Sequence, residues 1–178
     1  TNHQRIWVGD SREHVDYVFE VNRSASKGFK SMDTGGNTGF DRRDVMGKFH
    51  WHTGEQAVLP QSVTLKFVHA TEDGNETYLG LTYDDYIANP VRRYAATQLD
   101  RLDMQHSHIT LNHSIALVKG LSINTTAYYA TTFRDWARVN TIGGQSIQAI
   151  LNDPIAQQLP YQIMIGKANG NMDYQSAA

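Results

Sequence analysis

The chain has no cysteine, which excludes disulfide frameworks and thiolate metal sites. It also has no stretch near the ~18 consecutive apolar residues that a membrane-crossing helix needs. That absence leaves spanning strands untouched, because their signal is alternation and is far weaker per segment. Charge of one sign is missing too. Sixteen Lys and Arg face 18 Asp and Glu, for a formal net charge of −2 and a pI of about 6.4, so no basic bias points to nucleic acid. The sequence opens on Thr1 without a Met or a charged-then-apolar leader, and residues 168–178 are a polar run with no closing element. These ends set the expectation of an internal piece of a longer chain, residues 1–178 being part of one domain. Enzyme signatures are absent as well: there is no Gly-x-Ser-x-Gly elbow, P-loop or His-Glu-x-x-His. Glu72 and Asp73 are adjacent, but neighbours on a strand point to opposite faces and cannot act as a carboxylate pair. The expectation is a protein that is not an enzyme.

What is present is period-two alternation. In residues 14–23, HVDYVFEVNR, Val15, Tyr17, Phe19 and Val21 share one face while His14, Asp16, Glu20 and Asn22 share the other, Val18 excepted. Residues 4–8 read as the preceding strand of a hairpin, joined through Gly9-Asp10-Ser11. Residues 24–39, rich in Gly, Ser, Thr and Asn, read as a loop. Residues 41–52 alternate again, with Val45, Gly47, Phe49 and Trp51 opposite Arg42, Asp44, Lys48, His50 and His52. Val63, Leu65 and Phe67 then oppose Thr64 and Lys66, with Val68 on the polar side. After a long irregular stretch, Ile109, Leu111 and Ile115 oppose His108, Thr110, Asn112 and Ser114. A tight Val118-Lys119-Gly120 turn leads to the longest alternating run, with Leu121, Ile123, Ala127, Tyr129 and Phe133 on one face. From Ala137 the sequence reads as irregular, with a short helix over residues 145–151 that stops before Pro154.

Connections alternate between short and long, as in an antiparallel up-and-down transmembrane β-barrel with short periplasmic turns and long extracellular loops. A soluble β-sandwich would alternate equally well. Mid-strand charges on the polar faces and Trp51 at the end of an apolar face favour the barrel. The all-β expectation is about six strands of a larger barrel.

The long stretch over residues 75–103 carries a more specific signal. It contains NETYLGLT (75–82), Asn89-Pro90, RRYAA (92–96) and LDRLD (99–103). With DTGGNTGF (33–40) and FRDW (133–136) in the same order, these segments resemble a TonB-dependent outer-membrane receptor of the ferric-citrate and siderophore type. The resemblance implies a barrel of about 22 strands with an N-terminal plug, in the outer membrane of a Gram-negative bacterium. It implies TonB as energy source, acting through a plug that this sequence does not show, and a ferric siderophore or ferric citrate as transported ligand. No resident cofactor or metal is expected, and outer-membrane lipid and lipopolysaccharide are the surrounding partners. A passive porin or a secreted β-sandwich binding module is the alternative function.

Within that stretch, Thr82 with Asp85 reads as a capped helical turn ended by Asn89-Pro90. Arg92, Arg93 and Arg101 follow at the top of the descending strand, and guanidinium groups match anionic oxygens bidentately. Tyr86 and Tyr94, with Tyr78 and Tyr83, offer rigid amphipathic contact area. Arg42 and Arg134 on polar strand faces complete the expected ligand-binding set. The same arginines could instead pair with Asp84, Asp85, Asp100 and Asp103 or with lipopolysaccharide phosphates. The pairs His50/His52 and His106/His108 each share a strand face, but the topology separates them and the solvated-lumen reading is preferred to a metal site.

Overall fold

The computed structural model describes residues 1–54 and 56–177. In chain order the elements are β1 (Asn2–Ser11), β2 (Val15–Ser26), β3 (Ser31–Met32), β4 (Phe40–His52), β5 (Gln61–Gly74), α1 (Tyr83–Ala88), β6 (Arg92–Arg93), a 3-10 turn (Ala95–Thr97), β7 (Arg101–Val118), β8 (Leu121–Ile142), β9 (Gln145–Ser146), α2 (Ile147–Asn152), α3 (Gln158–Met164) and β10 (Met172–Ala177). The main sheet runs β1-β2-β4-β5-β7-β8-β10, with β9 beside β8, and every pairing in it is antiparallel. This is an up-and-down order in an open sheet, not a closed barrel.

Short connections lie at one end and long ones at the other. The β7–β8 hairpin turns through Lys119 and Gly120 alone, and Gly120 takes φ +85°, which a side chain would strain. The β1–β2 hairpin corrects the expectation of a turn at Gly9-Asp10-Ser11. Those three residues stay in β1, opposite Val18, Tyr17 and Asp16, and the chain reverses between Arg12 and Val15, which exchange backbone hydrogen bonds. Gly9 is there for proximity: a Cβ would meet the Tyr17 carbonyl oxygen at 2.6 Å.

Cross-strand register decides what each face carries. Phe19, Gly47, Phe67, Ile109 and Tyr129 form one continuous row across five strands. Tyr17, Phe49, Leu65, Leu111 and Ala127 form the next. Every apolar set read from alternation therefore falls on the same face, and most of that face is exposed, Phe19 at 58%. Gly47 sits under the Phe19 ring, whose Cε1 would lie 3.1 Å from an added Cβ. His113 interrupts the apolar face and bonds Gln61 at 3.2 Å. The opposite face carries Arg5–Glu20 at 2.6 Å, His50–Thr64 at 2.7 Å and His106–Thr132 at 2.8 Å. Val18 and Val68 lie on this polar face, Val18 beside Lys48 and Val68 beside His108.

The long connections after β5 and β8 form a compact buried core with the upper end of β8. Leu79, Tyr94 and Ala96 pack with Val139 and Ile142 from the upper end of β8 and with Ile147, Ile150, Ile163, Met164 and Ile165. The chain beyond Ala137 is thus ordered, which corrects the irregular reading. β8 continues to Ile142, α2 spans Ile147–Asn152 with Ser146 as its N-cap, and α3 and β10 follow. The short helix expected over residues 145–151 is present as α2, shifted by one or two residues and still ending before Pro154. α3, only seven residues long, gives no readable period.

Gly39 is the tightest point where the first long connection re-enters the sheet, because a Cβ there would overlap the Ser26 carbonyl and the Gly28 amide. Gly39→Ala is expected to destabilise the protein by about 1–3 kcal/mol. Gly80→Ala, where nothing lies within 4 Å and φ is not positive, should leave the thermal midpoint unchanged.

Candidate functional site: the polar face and its loop cap

The loop cap begins with α1. Thr82 Oγ1 accepts the Asp85 amide at 3.3 Å, and the Asn89 amide returns to the Asp85 carbonyl, so the capped turn ending at Asn89-Pro90 is present. The Asp85 side chain then becomes a node. It accepts Tyr94 Oη at 2.6 Å, Tyr161 Oη at 2.7 Å and Arg92 Nη1 at 2.6 Å. Burial alone would raise its pKa, but the hydrogen bonds from Tyr94, Tyr161 and Thr82 and the Arg92 charge outweigh burial and hold it below the ordinary carboxylate value.

Arg92 extends the node to the first long loop. Its Nε and Nη2 reach the two Asp33 oxygens at 2.8 and 3.0 Å, a bidentate pair, and the guanidinium lies 5.1 Å from the Tyr94 ring centroid. Alongside, β3 and β6 pair in parallel, Ser31 with Arg92 and Met32 with Arg93. Asp33, Arg92, Asp85 and Tyr161 thereby tie all three long connections together.

Arg93 points the other way and is 2% exposed. It donates to Thr97 Oγ1 at 2.8 Å, to the Thr97 carbonyl at 2.6 Å and to the Asn75 carbonyl. Burial pulls its pKa down, and Asp100 opposes that. Asp100 itself is 1% exposed and accepts Thr77 Oγ1 at 2.6 Å and the Val139 amide at 2.7 Å, while burial pushes its pKa up. Tyr94 is 1% exposed, its pKa raised by burial and by Asp85. In this conformation Arg93 and Tyr94 hold the cap together and present no surface to a ligand, and Arg92 is engaged by two carboxylates.

The remaining expected residues divide between faces. Arg42 and Arg134 lie in one row of the polar face, Arg42–Glu72–Met104–Arg134. Arg42 reaches Asp44 at 3.0 Å and Glu72 at 3.6 Å, and Arg134 stacks 5.1 Å from the Trp136 centroid. Arg101 is paired with Ala137 on the opposite face, beside a cleft of about 520 Å³ that Asp100, Asp135 and Tyr174 also line. Arg43 shares that face and pairs with Asp41 at 3.3 Å. Tyr86 is 55% exposed on α1. The seven residues thus do not converge. His50/His52 and His106/His108 occupy different rows, His50 beside Thr64 and Asn112 and His106 beside Ala70 and Thr132.

Sequence reasoning missed two features. Asp41, Asp73, Asp103 and Asp135 stand directly opposite one another on four adjacent strands, above the apolar rows. Like charges in that arrangement repel. Among the described residues, Arg23 at 2.5 Å and Arg43 pair with Asp41 alone of the four, and Ser176 donates to Asp135. The second is the stack of Arg134, Trp136, Tyr78 and Arg138, legible as an alternating R-x-W-x-R on one strand face.

Asp85→Asn removes the charge at the node and is expected to cost the cap about 2 kcal/mol at neutral pH. The loss should be visible as faster intrinsic-rate-corrected amide exchange in residues 75–100 and 158–165, with the strands unchanged. Because the folded-state pKa of Asp85 is depressed, its contribution is fully present above the unfolded carboxylate value and fades as pH falls through the folded one. The variant and the parent should therefore converge in acid. No protein-family model matches the chain, and neither a curated protein nor a solved structure matches it.

Proposed function

We propose that the chain forms part of the wall of a TonB-dependent outer-membrane receptor that takes up an anionic ferric chelate, a ferric citrate or ferric siderophore. The observation that carries the reading is the register. Below the Asp41–Asp135 row, tall antiparallel strands gather most apolar side chains on one face, interrupted by His69 and His113, and Arg42, Lys48, Lys66, His50, His106 and His108 on the other. Over residues 15–21 of β2 and 45–51 of β4 the apolar stretch is about 20 Å long at ~3.3 Å per residue, close to the ~25 Å band of such barrels. Short turns at one end and a packed loop cap at the other fit a periplasmic and an extracellular side.

In this reading the apolar face meets lipid, and the aspartate row of Asp41, with Arg23 and Arg43 in the row beside it, meets lipopolysaccharide headgroups. The polar face lines the lumen. The chelate meets Tyr86 on the cap, then Arg42 and Arg134 below it, where guanidinium groups match its carboxylate or catecholate oxygens. Arg92 reaches the ligand only if a ligand oxygen displaces Asp33 or Asp85. TonB acts through the plug that the family resemblance implies, and the chain does no chemistry on its cargo.

Uptake of radiolabelled ferric citrate and of ferric siderophores by cells carrying the intact receptor tests this reading. Arg42→Ala with Arg134→Ala is expected to reduce uptake of one chelate roughly tenfold or more, with surface abundance unchanged and uptake abolished without TonB. Unchanged uptake of every anionic chelate, or uptake independent of TonB, contradicts it.

A further inference from the structure

Arg134, Trp136 and Arg138 alternate along β8, and their register with Met104 and Leu102 places Arg134 and Trp136 on the polar face. Arg134 lies 5.1 Å from the Trp136 ring centroid. Trp136 meets Tyr78 edge-on at 5.9 Å and 77°, and Arg138 lies 4.7 Å from the Tyr78 centroid. The four side chains form one continuous stack, guanidinium–indole–phenol–guanidinium, where β8 passes beneath the loop cap.

The two guanidinium groups differ from most others in the chain. Arg5, Arg12, Arg23, Arg42, Arg43 and Arg92 each have a carboxylate within 4.0 Å. Arg134 and Arg138, like Arg93 and Arg101, have none within that distance among the described residues, although the Arg138 charge still acts on the buried Asp100 and draws its pKa down against burial. Stacking uses the flat face of a guanidinium and leaves its in-plane N–H fork free for oxygens. It also holds the long side chain in place before a ligand arrives, which lowers the ordering cost of binding. Between the two arginines, the indole Nε1–H of Trp136 is buried without an acceptor among the described residues. A buried orphan donor costs free energy until an acceptor reaches it. Tyr78, alone of the four, also lines a cleft of about 270 Å³ with Leu79, Gly80, Asn140, Ile147 and Leu151 beside α2.

We propose that Arg134, Trp136, Tyr78 and Arg138 form a clamp for an oxyanion ligand with at least two separated carboxylates, one on each guanidinium fork. Four residues along a strand set the two arginine Cα atoms about 13 Å apart, so a single carboxylate cannot bridge both and a polycarboxylate can. An oxygen of that ligand displaces the Tyr78 edge and accepts the Trp136 N–H. The ligand class deepens the uptake reading and rests on it for the source of the ligand, whereas the clamp itself is a binding property.

Calorimetric titration of the intact protein in detergent with citrate, ferric citrate and acetate tests the clamp. Citrate or its ferric complex should bind and acetate should not. Arg134→Ala and Arg138→Ala should each weaken binding roughly tenfold or more. Arg138→Lys should recover only part, because Lys lacks the planar fork. Arg101→Ala, on the opposite face, should bind like the parent and serves with unchanged heat-modifiable mobility as the folding control. Equal affinity for Arg138→Ala and Arg101→Ala, or acetate binding as well as citrate, overturns the proposal. Binding that follows this pattern in a protein whose uptake is TonB-independent would leave the clamp standing and remove the receptor reading.

Discussion

Cross-strand register is the constraint on which everything else depends. The side-chain period of a strand is two, so a one-residue slip in any ladder would send that strand's apolar set to the charged face. Six long strands instead hold rows such as Phe19–Gly47–Phe67–Ile109–Tyr129 in line. Side chains from separate hairpins thus become two coherent surfaces, one apolar and one charged. Tight turns at one end pin the register, and Gly120 at +85° is the plainest example.

The cap depends on a different interaction, the shared carboxylate of Asp85. A charged acceptor receiving two phenols and a guanidinium can hold short helices that have little stability of their own. Arg92 hands the same network on to Asp33, and Arg93 fastens the backbone of residues 75, 97 and 100 from inside. The consequence for function is a redistribution of roles among the arginines. Those in the conspicuous RR pair are structural fasteners in this conformation. The guanidinium groups of the polar face without a carboxylate within 4.0 Å among the described residues lie lower, at Arg134 and Arg138, each held over an aromatic ring.

Alternation was legible because it is a local property. The faces of β2, β4, β5, β7 and the lower half of β8 follow from residue types alone, and the capped turn at Thr82 follows from its own four residues. Strand ends were less legible. β5 runs to Gly74 and β7 starts at Arg101, because Thr71, Glu72, Asp73 and Asp103 are polar on both faces and break the pattern where the sheet rises above its apolar rows. The site was less legible still. Arg92 and Arg93 are adjacent and identical in type, yet one meets carboxylates of two loops and the other is buried among carbonyls. Their partners, Asp33 and Thr97 among them, are set by how the loops fold on each other. The aspartate row across Asp41, Asp73, Asp103 and Asp135 is likewise invisible until the register is known.

The central claim is that the two faces of this sheet look onto different solvents, lipid on one side and a wet lumen on the other. The absence of native cysteine makes a direct measurement possible: single cysteines at Ile109, Thr110, Leu111 and Asn112 in the intact protein, probed in outer membranes with a small water-soluble maleimide. The account predicts a period of two, with cysteines at 110 and 112 labelled and those at 109 and 111 protected until detergent is added. Equal labelling at all four positions, or protection at 110 and 112 instead, would contradict it.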